Sequence, residues 1–162
     1  MLYLLLSVLL VALDQIVKFL VRANIPLGGT VPFIPHVLEL TYVENTGAAF
    51  SFLSQHTWLL TLVSAVMTVV LVVLICKKVL RHPAGQTILA VVLAGAVGNL
   101  IDRALLGRVT DMFATVFMDF AVFNVADICV VLGGISLAVY ILFFYDRLEK
   151  KEPPHADSPS DC

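Results

Sequence analysis

"TWLLTLVSAVMTVVLVVLIC", from Thr57 to Cys76, runs for twenty residues without one charged side chain. A helix needs roughly 20 apolar residues to cross the hydrocarbon of a bilayer, so this stretch reads as a membrane span. Three more stretches of similar length flank it. They are "MLYLLLSVLLVALDQIVKFLV" from Met1 to about Val21, "QTILAVVLAGAVGNLIDRALL" from Gln86 to Leu106, and the run from Val125 to Tyr145. The whole chain is 60% hydrophobic and 14% charged, with a mean hydropathy of +0.99, outside the range of a soluble domain. Its 162 residues leave no room for a separate soluble module. A net charge of −2 with scattered basic residues gives no nucleic-acid footprint.

The first span carries no Lys or Arg before its apolar run and no clear small-residue cleavage site. It holds Asp14 and Lys18 in its second half, so it is expected to be a retained helix rather than a signal peptide. Lys77, Lys78 and Arg81 follow the second span, and Arg147, Lys150 and Lys151 follow the fourth. With four alternating helices these clusters share a side, which the positive-inside rule makes cytoplasmic, together with both termini. The expected fold class is an all-α membrane protein: four transmembrane helices with a small extracytoplasmic β element. A membrane domain over 1–146 holds helices at roughly 1–21, 57–76, 86–106 and 125–145 and an outer loop at 23–56. The polar, Pro-rich residues 147–162 are expected to be a disordered cytoplasmic tail.

This topology gathers the polar residues at one membrane face. Asp14 and Lys18 fall toward the outer end of the first helix, and Asn99, Asp102 and Arg103 at the outer end of the third. Asp111, Asn124 and Asp127 fall in the second outer loop or at the outer start of the fourth helix. Each has a bland alternative. Asp14 and Lys18 are spaced i, i+4 with the acid first, as in a structural ion pair, and Arg103 has the reach to snorkel toward headgroups. Asp119, in "ATVFMDFAVF", reads as a solvated loop carboxylate. Asp102 and Asp127 are harder to dismiss, because intramembrane carboxylates mark cavities and partners.

Ala90, Ala94, Gly98 and Asp102 recur every four residues and form a small-residue stripe that ends in a carboxylate. Such stripes let a neighbouring helix approach closely, and Gly134 is the expected counterpart on the fourth helix. In the outer loop, "VLELTYVEN" alternates like a strand, with Leu38, Leu40 and Tyr42 on one face. Pro26, Pro32 and Pro35 are expected to confine regular structure before it, and Asn45 and Gly47 to make a turn after it. A β element here could hold an extended peptide by backbone hydrogen bonds. The three cysteines predict no disulfide. His36, His56, His82 and His155 show no metal-ligand spacing, and no Ser–His–Asp or HExxH arrangement is present. The acids remain the candidates for chemistry.

"LDQIVK", "NTGAAF", "GNLIDR", "VTDM" and "FNVAD" stand in this order between about Leu13 and Val131. The sequence thereby resembles bacterial lipoprotein signal peptidase (signal peptidase II), although that family's third motif reads nearer VVDF, so Thr110 and Met112 depart from it. The resemblance implies an aspartyl endopeptidase of the bacterial cytoplasmic membrane, with its site at the outer face. Its substrates would be diacylglyceryl-modified prolipoproteins, cut just before the modified cysteine. The implied catalytic pair is Asp111 and Asp127. Asp14, Lys18, Asn45, Gly47, Asn99, Asp102, Arg103, Asn124 and Ala126 match positions that bind substrate or shape the site. No metal, cofactor, nucleic acid or obligate protein partner is implied beyond substrate and membrane lipids. Two other classes fit parts of the pattern. A proton-coupled transporter would carry its acids near the midplane, and a non-catalytic membrane adaptor would need only the small-residue stripes and the loop.

Overall fold

The computed structural model describes residues 2–47 and 57–149. The expected small apolar run after Gly47, and the tail from Lys150 onward, lie outside these residues. Helix α1 covers Leu2–Asn24, strands β1 and β2 cover Thr30–Ile34 and Leu38–Asn45, and helix α2 covers Thr57–Cys76. Helix α3 (Pro83–Leu106), strand β3 (Val109–Thr115) and helix α4 (Val125–Val139) follow, and α4 runs on through a π-helical turn, Tyr140–Phe144, into α5, Tyr145–Leu148. Among the described residues four helical stretches are long and apolar enough to cross a membrane: Leu2–Asn24, Thr57–Cys76, Pro83–Leu106 and Val125–Leu148. The first runs three residues past Val21, taking Ala23 and Asn24 out of the outer loop.

Helix α3 is the axle of the bundle, packed by α1, α2 and α4. Its stripe is buried as expected: Ala90, Ala94, Gly98 and Asp102 are all inside. A methyl group at Gly98 would lie 2.8 Å from Asp14 Oδ2 and 3.0 Å from Ala126 Cβ, so this glycine is where α1, α3 and α4 converge. The counterpart on α4 is Gly133 rather than Gly134. Gly133 is buried, and a methyl there would sit 2.6 Å from Val92 Cγ2, whereas Gly134 has open space around it. Consecutive helical residues are about 100° apart, so a one-residue error in phase moves a glycine off the interface.

Local signals set the helix ends. His82 caps α3 by accepting the Ala84 N–H at Nδ1 (3.2 Å), with Pro83 at the first helical position, where its missing N–H costs nothing. Gly107 ends α3 in the left-handed region (φ 71°) and returns its N–H to the Arg103 carbonyl. At the end of the bundle remote from the sheet, Glu149 accepts the backbone N–H groups of Arg81 (2.7 Å) and His82 (3.2 Å) and the Tyr140 hydroxyl (2.6 Å). The last helical turn is thereby tied to the start of α3. An apolar cluster of Leu71, Ile75, Leu80, Leu89, Leu93 and Tyr140 fills this half.

The opposite half carries an antiparallel sheet of order β1-β2-β3. Two expectations are corrected here. Pro32 does not exclude regular structure; it lies within β1, opposite Glu39. It is tolerated because β1 is an edge strand, where a missing donor breaks no second ladder. "VTDM" is not loop but the start of β3, which pairs with β2 across Val43↔Asp111 and Glu44↔Thr110. Met112, fully buried, packs with Val21 of α1 and with Ile25 just past that helix's end and so seats β3 on the bundle.

Candidate active site

Asp127 occupies the third position of α4, and Asn124 is that helix's N-cap. Asn124 Oδ1 accepts the Asp127 N–H (2.9 Å) while Asp127 Oδ2 accepts the Asn124 N–H (3.1 Å), a reciprocal capping box. One oxygen of Asp127 is thus spoken for by local structure. Its other oxygen, Oδ1, accepts from Asn99 Nδ2 at 2.8 Å. The negative charge also sits at the positive end of α4, where backbone N–H groups are unpaired. The spacing Asn-x-x-Asp ahead of an apolar run is a readable helix start, and the sequence reading did not use it.

Asp111 arrives on a different element. Alternation along β3 turns Asp111 away from its neighbours Thr110 and Met112. Its carboxylate accepts from Asn124 Nδ2 at 2.6 Å and from Asn45 Nδ2 at 3.0 Å. Asn45, the last residue of β2, also accepts the Gly47 N–H at Oδ1 (2.9 Å), closing the expected turn and fixing which side of its amide faces Asp111. Asn124 therefore touches both acids, holding Asp111 by its side chain and Asp127 by its backbone. Burial pushes the Asp111 carboxyl up; the Asn45 hydrogen bond opposes this, and the nearby Asp127 charge adds to it, leaving it at about 6.

Beneath these residues lies a second polar layer. Lys18 is completely buried, and its Nζ meets Asp14 at 2.9 Å, Asp102 at 3.2 Å and Asn99 Oδ1 at 3.0 Å. Asn99 Oδ1 also accepts from Asn124 Nδ2 (3.2 Å), so the lower layer is wired to the upper one through a single amide. Asp14 Oδ1 accepts the Ala126 N–H (2.8 Å), and Asp102 Oδ2 accepts the Thr110 N–H (3.0 Å). Each lower carboxylate thereby anchors the backbone next to an upper one. Gln15 was not singled out from the sequence; its Nε2 lies 3.2 Å from Asp14, from Asp102 and from the Gly98 carbonyl.

A cavity of about 410 Å³ opens on Asp111 and Asp127, with Asn45, Gly47, Asn99 and Arg103 on its polar side and α4 residues such as Val131 on its apolar side. Arg103 does not simply reach outward. It lines this cavity, donates to Ser64 Oγ of α2 (3.3 Å), and lies within electrostatic reach of Asp127, Asp111 and Asp102. Asp119 is exposed and does not line the cavity, as expected for a loop carboxylate. Among the described residues no group of His, Cys, Asp and Glu side chains is arranged to hold a metal ion. Two carboxylates, one buried and one half-buried, with only amide and backbone donors in contact can share a proton and carry out acid and base steps at one place.

Known proteins agree with this architecture. Residues 6–143 match the family model described as signal peptidase (SPase) II. A lipoprotein signal peptidase of Enterococcus faecalis is 44% identical over 140 residues, 86% of this chain and 87% of that one. One from Clostridioides difficile is 43% identical over 148 residues, covering 91% and 99%. A bacterial membrane enzyme solved by the in meso method at 2.3 Å superposes with a TM-score of 0.80 at 31% identity, over 95% of this chain and 94% of the other. With four membrane helices, a three-stranded sheet at one end and these relatives along nearly its whole length, the chain belongs to the signal peptidase II family.

Proposed function

We propose that, within the prolipoprotein signal-peptide processing carried by this family, the chain is an intramembrane aspartyl endopeptidase whose catalytic pair is Asp111 and Asp127. The observation that carries this reading is the bridge at Asn124: two carboxylates, the buried Asp111 of β3 and the half-buried Asp127 of α4, are held by one residue at one cavity. Close carboxylates ionise one at a time, so the pair holds one proton and titrates as a unit.

In the first step the ionised carboxylate takes a proton from water as the water oxygen bonds to the scissile carbonyl carbon, and the protonated carboxyl gives its proton to the carbonyl oxygen. In the second the C–N bond breaks, the leaving nitrogen takes the proton held by the pair, and the hydroxyl of the tetrahedral carbon returns its own. Asn99, Asn124 and Asn45 hold the acids at fixed angles, Gly47 gives close approach at the cavity wall, Ala126 packs the start of α4 against Gly98 of α3, and Arg103 meets a lipid headgroup. The substrate is a diacylglyceryl-modified prolipoprotein cut just before the modified cysteine, with its acyl chains left in the hydrocarbon. Burial of about 0.8 kcal/mol per CH₂ makes that lipid, together with the apolar signal helix, the source of most of its membrane affinity.

The orientation follows from the basic clusters around Lys78 and Arg147: both termini in the cytoplasm and the sheet at the outer face of the cell membrane. A cysteine introduced between Pro26 and Pro35, with the native cysteines replaced, should react with an impermeant thiol reagent added to intact cells. One introduced beside Lys78 should not, and the reverse pattern would separate the acids from an exported substrate.

The test of the activity is purified protein in vesicles with a precursor peptide, diacylglyceryl-modified or bare. Asp111→Asn and Asp127→Asn should each lower cleavage about 10³-fold, within the usual range for losing an acid–base group, while Asp119→Asn keeps most of it. Near-normal turnover by either dyad variant would remove the assignment. Equal rates on lipidated and bare precursors would remove the lipid from the substrate definition.

A further inference from the structure

Thr110 immediately precedes Asp111 and is 1% exposed. A hydroxyl buried that deeply is costly unless it is hydrogen-bonded. Its partner comes from the outermost turn of α1: Arg22 Nη1 donates to Thr110 Oγ1 at 2.9 Å. The backbone of the same residue is gripped from another helix, since the Thr110 N–H donates to Asp102 Oδ2 at 3.0 Å. Asp102 is itself held by Lys18 (3.2 Å) and Gln15 (3.2 Å). On the far side of Asp111, Met112 is wedged against Val21 and Ile25. Alternation places Thr110 and Met112 on the α1 side of β3 and Asp111 on the other. Whatever fixes those two residues fixes the height of the carboxylate between them.

That height is tightly constrained. Asp111 must meet Asn124, at the start of α4, at 2.6 Å and Asn45, at the end of β2, at 3.0 Å. A strand allowed to slide by a fraction of an ångström would lengthen the Asn124 contact and move Asp111 relative to Asp127. The hydroxyl is the only side-chain polar atom of β3 that reaches α1 by a hydrogen bond among the described residues.

We propose that Arg22 and Thr110 form a positioning latch that sets Asp111 against Asp127, acting on turnover rather than on substrate affinity. The latch rests on the dyad reading above. Neither residue touches the cavity, so neither is a catalytic residue; both work through the strand.

The test measures kcat and KM separately for purified Thr110→Val, Thr110→Ser, Arg22→Met and the double variant Arg22→Met/Thr110→Val, alongside thermal unfolding. Misplacement of a reacting group costs rate steeply. Thr110→Val and Arg22→Met should therefore each lower kcat about tenfold while KM stays within about twofold. Thr110→Ser keeps the hydroxyl and should restore most of kcat. The double variant should lose no more than about tenfold, because both changes remove the same bond. Unchanged kcat in folded Thr110→Val, a loss confined to KM, or losses that multiply to about 100-fold in the double variant would each overturn the latch. If Thr110→Val does not fold, Arg22→Met decides alone, since it truncates a half-buried side chain at a helix end; normal kcat in it overturns the proposal. An active Asp111→Asn would instead fail the dyad reading. An inactive Asp111→Asn beside a fully active Thr110→Val would fail only the latch.

Discussion

The polar end of this bundle holds two layers of aspartates that differ in what surrounds them. In the lower layer Asp14 and Asp102 share the ammonium of Lys18 at 2.9 and 3.2 Å. In the upper layer Asp111 and Asp127 contact asparagine amides and a backbone N–H, and neither takes part in the ion pairs found among the described residues, which join Lys18 to Asp14 and Asp102 and Arg108 to Glu44. The same side chain therefore serves two ends. Neutralised by a cation, a buried carboxylate becomes a fixed anchor, and here each anchor holds the backbone beside an upper acid. Satisfied by neutral donors, it keeps a proton within reach, which is what acid–base work needs.

The largest effect that separates the layers comes from removing the shared cation. Lys18→Met leaves Asp14 and Asp102 buried without a counter-charge, and breaking one partner out of a buried ion pair costs about 3–5 kcal/mol. The variant should lose folded protein at moderate temperature, together with all activity. Asp127→Asn should be inactive yet lose less stability than Lys18→Met, because its amide oxygen still accepts from Asn99 or from the Asn124 N–H and only the other of these two donors is left facing an amide N–H₂. Thermal unfolding in one detergent checks both. A Lys18→Met protein as stable as the parent would erase the distinction and make the lower layer something other than an anchor.

How far this could be read from the sequence differs between layers and between elements. The four spans were legible because hydrocarbon thickness imposes one length and one composition on any helix that crosses it. The i, i+4 pair of Asp14 and Lys18 was legible because both residues lie on one helix, but its third member, Asp102, comes from α3 and left no local trace. Strand β3 was missed because its seven residues are recruited by β2, a tertiary pairing, and "VTDM" has no strong alternation of its own. Arg22 and Gln15 looked like ordinary polar residues near a helix end; only the packing of α1 on α3 and β3 gives them partners. Asn124 is the reverse case. Its capping signal is local and present in the sequence, whereas its contacts with Asp111 and Asn99 come from other elements and leave no trace there.

The smaller expected effect concerns the upper layer alone and follows from the raised Asp111 carboxyl, at about 6 against an ordinary value of 3.8. A group whose folded value lies above its unfolded one stabilises the fold fully below the unfolded value, and that contribution is lost as pH rises through the folded value. The window here is about pH 4 to 6. Two pKa units correspond to on the order of 3 kcal/mol, an upper bound because Asp127 on α4 titrates with Asp111 while Lys18 on α1 and Arg103 on α3 oppose the loss. Asp111→Asn removes the titration but also faces an amide N–H₂ toward the donors of Asn45 or Asn124, a penalty that does not vary with pH. The informative quantity is therefore the stability of the parent minus that of Asp111→Asn, followed from pH 4 to pH 7 in one detergent. It should fall as pH rises and level off above about pH 7. A flat difference would mean that Asp111 is ionised throughout, as an anchoring carboxylate would be, and the contrast between the two layers would then rest on Asp127 alone.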